Sequence, residues 1–196
     1  MEVLRYCTEA PHGAPDGGAV GINGTEEKDI NLALVLKLEE ILDGKGFNVV
    51  LTRTGDSGVY DNDKKTIREM KVSDMNNRLK IIKDSNADLF LSIHMNSFEN
   101  KSVTGLNVFY DTNHPDIKKL AEEIQNNMGN VTGAKIHAVK TADTKLFLMK
   151  NSPVPSILVE CGFLSNEDEE KKLNDDEYQS KIAWAIAYAI ENYIKD

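Results

Sequence analysis

The 196-residue chain has little cysteine, no long apolar run and a deficit of positive charge. Its two cysteines, Cys7 and Cys161, have neither the spacing of a metal-ligand pair nor the number needed for a disulfide framework, so they do not fix the redox compartment. Because no apolar stretch is long enough to span a bilayer, we expect no transmembrane segment. The start, "MEVLRYCTEA", lacks the basic and then apolar layout of a secretory signal, although a mature fragment of an exported protein would look the same.

Acidic residues outnumber basic ones, with 32 Asp and Glu against 23 Lys and Arg, and the formal net charge is −9. This surplus argues against nonspecific binding to nucleic acid or to any other polyanion, including an anionic cell wall. If the substrate is anionic, a local site or a partner protein must supply the attraction. With 40% apolar and 28% charged residues, the composition is typical of a globular domain that has a real core.

Strand and helix patterns alternate along the chain. Short β-rich stretches predict strands over residues 3–8, 47–53, 87–94, 105–110, 134–140 and 156–163. Apolar residues at helical spacing predict helices over residues 28–46, 73–86, 114–130 and 180–194. Ser73 or Asp74 is the expected cap of the second helix, and Trp184 is expected in the core beneath the last one. The alternation favours a single α/β domain over residues 1–196 with a largely parallel sheet.

Side chains able to bind a metal follow several of these strands. Active sites of such sheets gather at the carboxyl ends of the strands. His12 follows the first strand in the glycine-rich stretch "EAPHGAPDGGAVGING", His94 ends the third strand and Glu160 ends a late one, while Glu26 and Glu27 precede the first helix. Two histidines and one carboxylate with an open fourth position form a catalytic zinc arrangement. A carboxylate that is not a ligand can then act as a general base.

Each candidate also has a purely structural interpretation. His12 could be a turn residue, His94 a hydrogen-bonded core histidine, and Glu27 a first-turn acid favoured by the helix dipole. Glu160 is harder to explain structurally, because it follows an apolar run in which an unpaired carboxylate is costly to bury. From the residues alone, the metal site and these alternatives both stay open.

Five motifs occur in register along the chain: "HGAPDGGAVGINGTEEKDINLAL", "GFNVVLTR", "NADLFLSIHMNS", "GLNVFY" and "PSILVECGFLSN". Together they resemble the zinc-dependent N-acetylmuramoyl-L-alanine amidases of the Amidase_3 family, over nearly the whole chain. The resemblance implies a twisted, mostly parallel sheet flanked by helices, with one zinc ion. The first motif and residues 67–84 look most like the CwlD-type spore-cortex members. That likeness implies an exported enzyme of the cell envelope, or of the forespore intermembrane space and cortex.

The resemblance also implies roles for the site residues. His12, Glu27 and His94 correspond to three zinc ligands, Glu27 being preferred to Glu26 because the family's ligand directly precedes a lysine. Glu160 corresponds to the catalytic glutamate, which takes a proton from the attacking water and returns it to the leaving amine. The bond cut would be the amide between the lactyl group of N-acetylmuramic acid and L-alanine of the stem peptide in peptidoglycan, on the route to muramic-δ-lactam.

Two further residues, Arg53 after the second strand and Asn96 in "SIHMN", are expected to support the site or the substrate. One departure from the family is Pro11, directly before His12, because proline fixes the local backbone and removes an N–H. Two alternatives therefore stay open: a weak or inactive amidase-fold protein that binds peptidoglycan or regulates, and an unrelated phosphate- or nucleotide-binding enzyme that uses the glycine loop. Because the chain is acidic and has no added wall-binding module, we expect an accessory protein that localises or activates it, and no nucleic-acid partner.

Overall fold

A single six-stranded sheet organises the part of the chain that the computed structural model describes, residues 4–142 and 146–195. Its strands are β1 (Arg5–Glu9), β2 (Asn48–Leu51), β3 (Leu89–Asn96), β4 (Asn107–Tyr110), β5 (Lys140–Thr141) and β6 (Ser156–Phe163). The helices of these residues are α1 (Glu27–Gly44), α2 (Ile67–Asp84), α3 (Lys118–Thr132), α4 (Phe147–Asn151), α5 (Glu167–Leu173) and α6 (Asp176–Lys195), and a 3₁₀ turn, Pro115–Ile117, leads into α3. Residue 3 of the predicted first strand lies outside the described residues.

The strand order is β2-β1-β3-β6-β4-β5. Every neighbouring pair is parallel except β4 and β6, which are antiparallel. The predicted α/β class with a mostly parallel sheet is therefore confirmed. Since β1, β3 and β6 are parallel neighbours, their carboxyl ends lie at the same edge of the sheet.

Helices cover both faces of the sheet. Along β3, Leu91 and Ile93 pack into the larger apolar cluster with α1, α3 and α6, whereas Phe90 packs into a smaller cluster with Ile82 of α2 and Leu148 of α4. This alternation is the period of two that a strand buried on both faces requires. None of the described helices has the length and apolarity needed to cross a bilayer.

The second helix begins earlier than the sequence predicts. It starts at Ile67, not at residue 73, and Thr66 caps it. The Thr66 hydroxyl accepts from the Glu69 N–H, while the Glu69 carboxylate accepts from the Thr66 N–H, a reciprocal capping box. The prediction of Ser73 or Asp74 as the cap is therefore wrong. Ser73 is buried inside the helix, and its hydroxyl contacts Asp61.

Three other sequence predictions need correction. The predicted strand over residues 134–140 is reduced to one bridge, between Ile136 and Leu106, and to the two-residue strand β5. Trp184 is not in the core: it is 49% exposed and stacks on Tyr188 with ring centres 5.1 Å apart. The short helices α4 and α5 were not predicted, although both contribute to the surroundings of the site.

Candidate metal centre

Residues from three adjacent strands meet at one edge of the sheet. His94 on β3 lies directly opposite Glu160 on β6 in the parallel register, and His12 follows the end of β1. Glu160 lies within β6, three residues before its end, and not at the strand terminus that the sequence suggested. The alternation of β3 directs Ser92 and His94 to the face that carries α2 and α4.

The N-terminus of α1 brings Glu27 to the two histidines. Glu27 Oε2 lies 3.2 Å from His12 Nε2, and Glu27 Oε1 lies 3.0 Å from His94 Nδ1. One ligand atom from each of the three residues lies within 4.8 Å of the other two. Glu26 instead pairs with Lys28, 3.1 Å away. The choice of Glu27 over Glu26 thus matches the geometry.

Burial and the close contacts alter the protonation of this cluster. Burial works to raise the pKa of Glu27, but hydrogen bonds from His12 and His94 outweigh it and hold that pKa well below its usual range. For both histidines, burial works to lower the pKa, and the hydrogen bond and charge of Glu27 outweigh it and raise the pKa. Burial also raises the pKa of Glu160 to about 7. Without a metal, the imidazoles therefore hold their protons to a higher pH than an unperturbed imidazole does.

Asp16 contacts the other nitrogen of His12 and was missed by sequence reasoning. Its Oδ2 lies 3.1 Å from His12 Nδ1, and its Oδ1 pairs with Lys71 of α2 at 3.0 Å. In the neutral imidazole, a proton on Nδ1 that is donated to Asp16 leaves the lone pair of Nε2 available to a metal ion, the arrangement that orients a metal-binding imidazole. The available signal was a carboxylate four residues after the histidine within the same tight loop.

The glycine-rich loop lets the backbone approach the cluster closely. Gly18 has a positive φ of 72°, and a Cβ there would lie 2.6 Å from Glu27 Oε2. The loop's N–H groups are used by the protein's own carboxylates: Ala19 donates to Glu27, and Asn23 and Thr25 donate to Glu170 of α5. The backbone N–H groups of the loop therefore bind the carboxylates of two glutamates.

Arg53 supports the site through backbone contacts. The buried guanidinium donates to the carbonyl oxygens of Ala10 at 2.8 Å and Pro11 at 3.2 Å, on the segment before His12. It also donates to Lys28 O at 2.6 Å, next to Glu27. Arg53 thus ties together the two segments that carry His12 and Glu27.

Asn96 has a more local contact. Its side-chain oxygen accepts from the Ser97 N–H at 2.8 Å, and its backbone oxygen accepts from Leu164 N–H. These bonds fix the turn after β3, and its expected contact with substrate stays a prediction.

A cavity of about 350 Å³ opens beside the cluster, between α2 and α4. His12, His94 and Lys71 are among the polar residues that line it. The apolar residues of the lining include Met70 of α2 and Phe147 of α4. A substrate group can therefore reach the two histidines from this side.

The sequence profile of the Amidase_3 family, described as N-acetylmuramoyl-L-alanine amidase, matches residues 8–192. The chain belongs to this amidase family. A curated family relative, the germination-specific N-acetylmuramoyl-L-alanine amidase of Bacillus subtilis, is 33% identical over 94% of this chain and 77% of its own length.

Solved structures of amidases agree with that assignment. The CwlD amidase of Clostridioides difficile, solved in complex with the GerS lipoprotein, is 42% identical with a TM-score of 0.93 over 98% of both chains. The catalytic domain of CwlV, an N-acetylmuramoyl-L-alanine amidase from Bacillus (Paenibacillus) polymyxa var. colistinus, is 29% identical with a TM-score of 0.84, over 98% of this chain and 99% of that one. The described residues thus share the fold of these amidases throughout.

The donor set of this amidase fits a metal ion. Imidazole nitrogen and carboxylate oxygen are the ligands that zinc accepts at catalytic sites. Among the described residues, Glu160 Oε2 is buried without a hydrogen-bond partner, although its Cα lies opposite that of His94. A buried carboxylate oxygen without a partner is expected to gain one when a ligand or substrate binds.

Proposed function

We propose that the chain is a zinc-dependent N-acetylmuramoyl-L-alanine amidase and that residues 1–196 form one catalytic unit. The convergence of His12, Glu27 and His94 beside Glu160 carries this proposal. The bond hydrolysed is the amide between the lactyl group of N-acetylmuramic acid and L-alanine of the stem peptide. Membership of the amidase family supports this choice of bond.

In this proposal His12, Glu27 and His94 hold the zinc ion. When bound there, zinc supplies a Lewis acid that lowers the pKa of water and polarises the scissile carbonyl. Asp16 accepts the Nδ1 proton of His12 and so orients the ring. Arg53 holds the backbone beside two of the three ligands.

Glu160 is the general base and then the general acid. Burial raises its pKa to about 7, so the carboxyl can accept a proton and release it again near neutral pH. It takes a proton from the attacking water and donates it to the leaving amine of L-alanine. Its buried Oε2, without a partner among the described residues, is free to make that contact.

Neither alternative function is favoured by an observation. A phosphate-binding loop needs free backbone N–H groups, whereas those of Ala19, Asn23 and Thr25 already donate to Glu27 or Glu170. His12 reaches Glu27 although Pro11 precedes it, with His12 Nε2 3.2 Å from Glu27 Oε2. The Pro11 carbonyl oxygen accepts from Arg53, and proline has no N–H that would need a partner. We therefore retain an active enzyme as the function.

The test is a digestion of purified peptidoglycan followed by mass spectrometry of the products. Wild-type protein should release stem peptides with a free L-alanine amino group and leave glycan strands with an unsubstituted lactyl carboxylate. Glu160→Gln, which keeps the size but not the basicity, should reduce release by about 100-fold or more. Glu191→Gln, the same change on an α6 glutamate that pairs with Lys45 and Lys195, should leave release unchanged. Equal release by Glu160→Gln and wild type would contradict the assigned role.

We further propose an exported enzyme that acts in the cell envelope, or in the forespore intermembrane space and cortex, on the route to muramic-δ-lactam. The germination-specific relative and the CwlD structure support this placement. The CwlD complex with a lipoprotein also supports an accessory protein that localises or activates the enzyme. The net charge of −9 is a physical reason to expect such an accessory protein, because an acidic chain is repelled by anionic wall polymers.

The need for a partner is tested by sedimentation of the inactive Glu160→Gln chain with purified peptidoglycan. Most of the chain should stay in the supernatant. The pelleted fraction should rise with added salt, because salt screens repulsion between like charges. Tight pelleting at low salt by the chain alone would contradict the proposed dependence on a partner.

A further inference from the structure

The guanidinium of Arg78, on α2, lies fully buried beneath the loop that carries His12. Its Nη2 donates to the carbonyl oxygen of His12 at 2.6 Å, and its Nη1 donates to that of Ala10 at 2.7 Å. Its Nε donates to Asp74 Oδ2, also 2.6 Å away. One planar group therefore contacts the loop at two points and α2 at a third.

The backbone that Arg78 holds is in an unfavourable conformation. His12 has a φ of 62°, in the left-handed region where a residue with a Cβ is rarely found. Such a conformation persists only where surrounding contacts impose it. The hydrogen bond from a charged guanidinium to the His12 carbonyl is a strong contact of this kind. If the peptide rotated away from this conformation, the imidazole would turn away from Glu27 and His94.

Arg78 also connects the loop to the strand of the second histidine. Its Nη1 lies 3.5 Å from Glu9 Oε1, and Glu9 Oε2 accepts from the Ser92 hydroxyl at 2.6 Å. Ser92 precedes His94 by two residues on β3, so both side chains lie on the same face of the sheet. The chain of contacts thus runs from the His12 backbone to β3.

This arrangement is poorly explained by stability alone. Burying charges has a large desolvation cost, and apolar side chains of similar volume often serve a core as well or better. What an apolar residue cannot supply is a fork that fixes two carbonyl oxygens of the segment leading to a ligand. Arg78 makes these two bonds to the Ala10 and His12 carbonyl oxygens, in addition to its contacts with Thr52, Asp74 and Glu9.

We propose that Arg78 is a positioning residue of the metal site: it holds the His12 backbone so that the imidazole faces Glu27 and His94 before a metal binds. The inference rests on the proposed zinc site and assigns to α2 a role in the strength of zinc binding. Arg78 is fully buried and is not one of the three proposed ligands, so its effect on the metal passes through the His12 backbone.

The test measures zinc affinity by competition with a chromophoric chelator, together with the thermal unfolding midpoint of the zinc-free protein. Arg78→Lys keeps the positive charge beside Glu9 and Asp74 but cannot hold both carbonyl oxygens, and it should weaken zinc binding by about 10–100-fold. Arg68→Lys, the same change at an exposed position of α2, should leave the affinity unchanged. A merely structural role would lower the midpoint of the zinc-free protein and leave the affinity of the folded protein as in wild type.

A second variant covers the case in which Arg78→Lys does not fold. Asp74→Asn keeps an oxygen for the Val59 N–H, which Asp74 Oδ1 accepts at 2.7 Å, but removes the carboxylate partner of Arg78 Nε. It should weaken zinc binding in the same direction and by less. If the folded variants bind zinc as tightly as wild type does, the positioning role of Arg78 is overturned while the proposed function stands. Failure of the wild-type chain to bind zinc would overturn the proposed function together with it.

Discussion

At the scale of single residues, Glu27 is the centre of the site. Its carboxylate faces one nitrogen of His12 and one of His94, and it also accepts from the backbone N–H groups of Ala19 and Met95. A buried carboxylate between two partly buried imidazoles requires a compensating positive charge, which protons or a metal ion can supply. Metal binding at this site therefore exchanges protons for a cation.

This exchange predicts a pH dependence of zinc binding. In the metal-free protein, burial favours neutral imidazoles, but Glu27 outweighs burial and raises the pKa of His12 and His94 above their usual value of about 6.5. A raised pKa keeps protons bound below it, and zinc binds only the neutral imidazole. The affinity should therefore be full above the raised pKa values. As the pH falls through them, it should fall by up to about tenfold per pH unit for each displaced proton.

Chelator competition at a series of pH values between about 5 and 8 measures this effect, with circular dichroism as the control for folding. The zinc dissociation constant should rise steadily as the pH falls while the circular dichroism stays constant. A dissociation constant that does not change across the range would contradict the account of the cluster.

The close approach of Gly18 can be tested against Gly24. Both have a positive φ, 72° and 88°, so an alanine at either position strains the backbone. A Cβ on Gly18 would lie 2.6 Å from Glu27 Oε2 and 2.7 Å from His12 Cδ2, whereas nothing lies within 4 Å of one on Gly24. Gly18→Ala should weaken zinc binding by about tenfold or more and Gly24→Ala should not. Zinc titration of the two variants measures the difference. Equal zinc affinities would show that the close approach of Gly18 to Glu27 is unimportant for zinc binding.

Several individual residues of the site were predictable, because they follow strands whose carboxyl ends share one edge and because the motifs around them resemble one family. Arg78 was not. It is 66 residues from His12 in the chain, and its contact with the His12 carbonyl depends on the packing of α2. The hydrogen bonds that it donates to backbone oxygens correspond to no pattern of residue type or spacing in the sequence.

At the scale of elements, helix α2 holds the loop that carries His12 in place. It supplies Asp74 and Arg78, and its first turn is fixed by the capping box of Thr66 and Glu69. The pattern Thr-x-x-Glu is present in the sequence at this point, and it predicts a helix start. The sequence prediction starts the helix at residue 73 because Ser73 and Asp74 are also residue types that favour a helix cap.

Removing the cap should destabilise the fold without affecting the metal site. Thr66→Ala removes the hydroxyl that accepts from Glu69 N–H, and it should lower the free energy of unfolding by about 1 kcal/mol. Thr54→Ala, at an exposed loop position, should change it by less than about 0.5 kcal/mol. Urea denaturation measures both values. A large loss of zinc affinity in folded Thr66→Ala would contradict the separation of the cap from the site.

Two of the short elements, β5 and α4, were beyond the reach of sequence patterns. Strand β5 has two residues, Lys140–Thr141, and α4 has five, so neither presents a full period of apolar residues. Helix α5 is mostly charged and is held through Glu169 and Glu170, whose carboxylates accept backbone N–H groups of distant segments. Helix α5 also has a local signal, because the Asn166 side chain caps it by accepting from the Glu169 N–H.

At the scale of the whole molecule, the alternation of strands and helices was enough to predict the α/β class and the mostly parallel sheet. Right-handed crossovers and buried apolar strands leave few other arrangements for such a pattern. The exposed Trp184 shows the limit of this reasoning. The apolar stripe of the last helix predicts which face packs on the protein, but not how much of that face the neighbouring elements cover. The same fold brings the loop after β1, the start of α1, and strands β3 and β6 to one place, which is the basis of the proposed activity.

The most direct test of the central claim is the zinc content of the purified whole chain. We predict about one zinc per chain in the wild type, loss of that zinc in His94→Ala, and its retention in Glu160→Gln, which alters a neighbouring carboxylate that is not a ligand. A wild-type chain that takes up no zinc, or a His94→Ala chain that keeps a full equivalent, would contradict the claim that His12, Glu27 and His94 form the metal site.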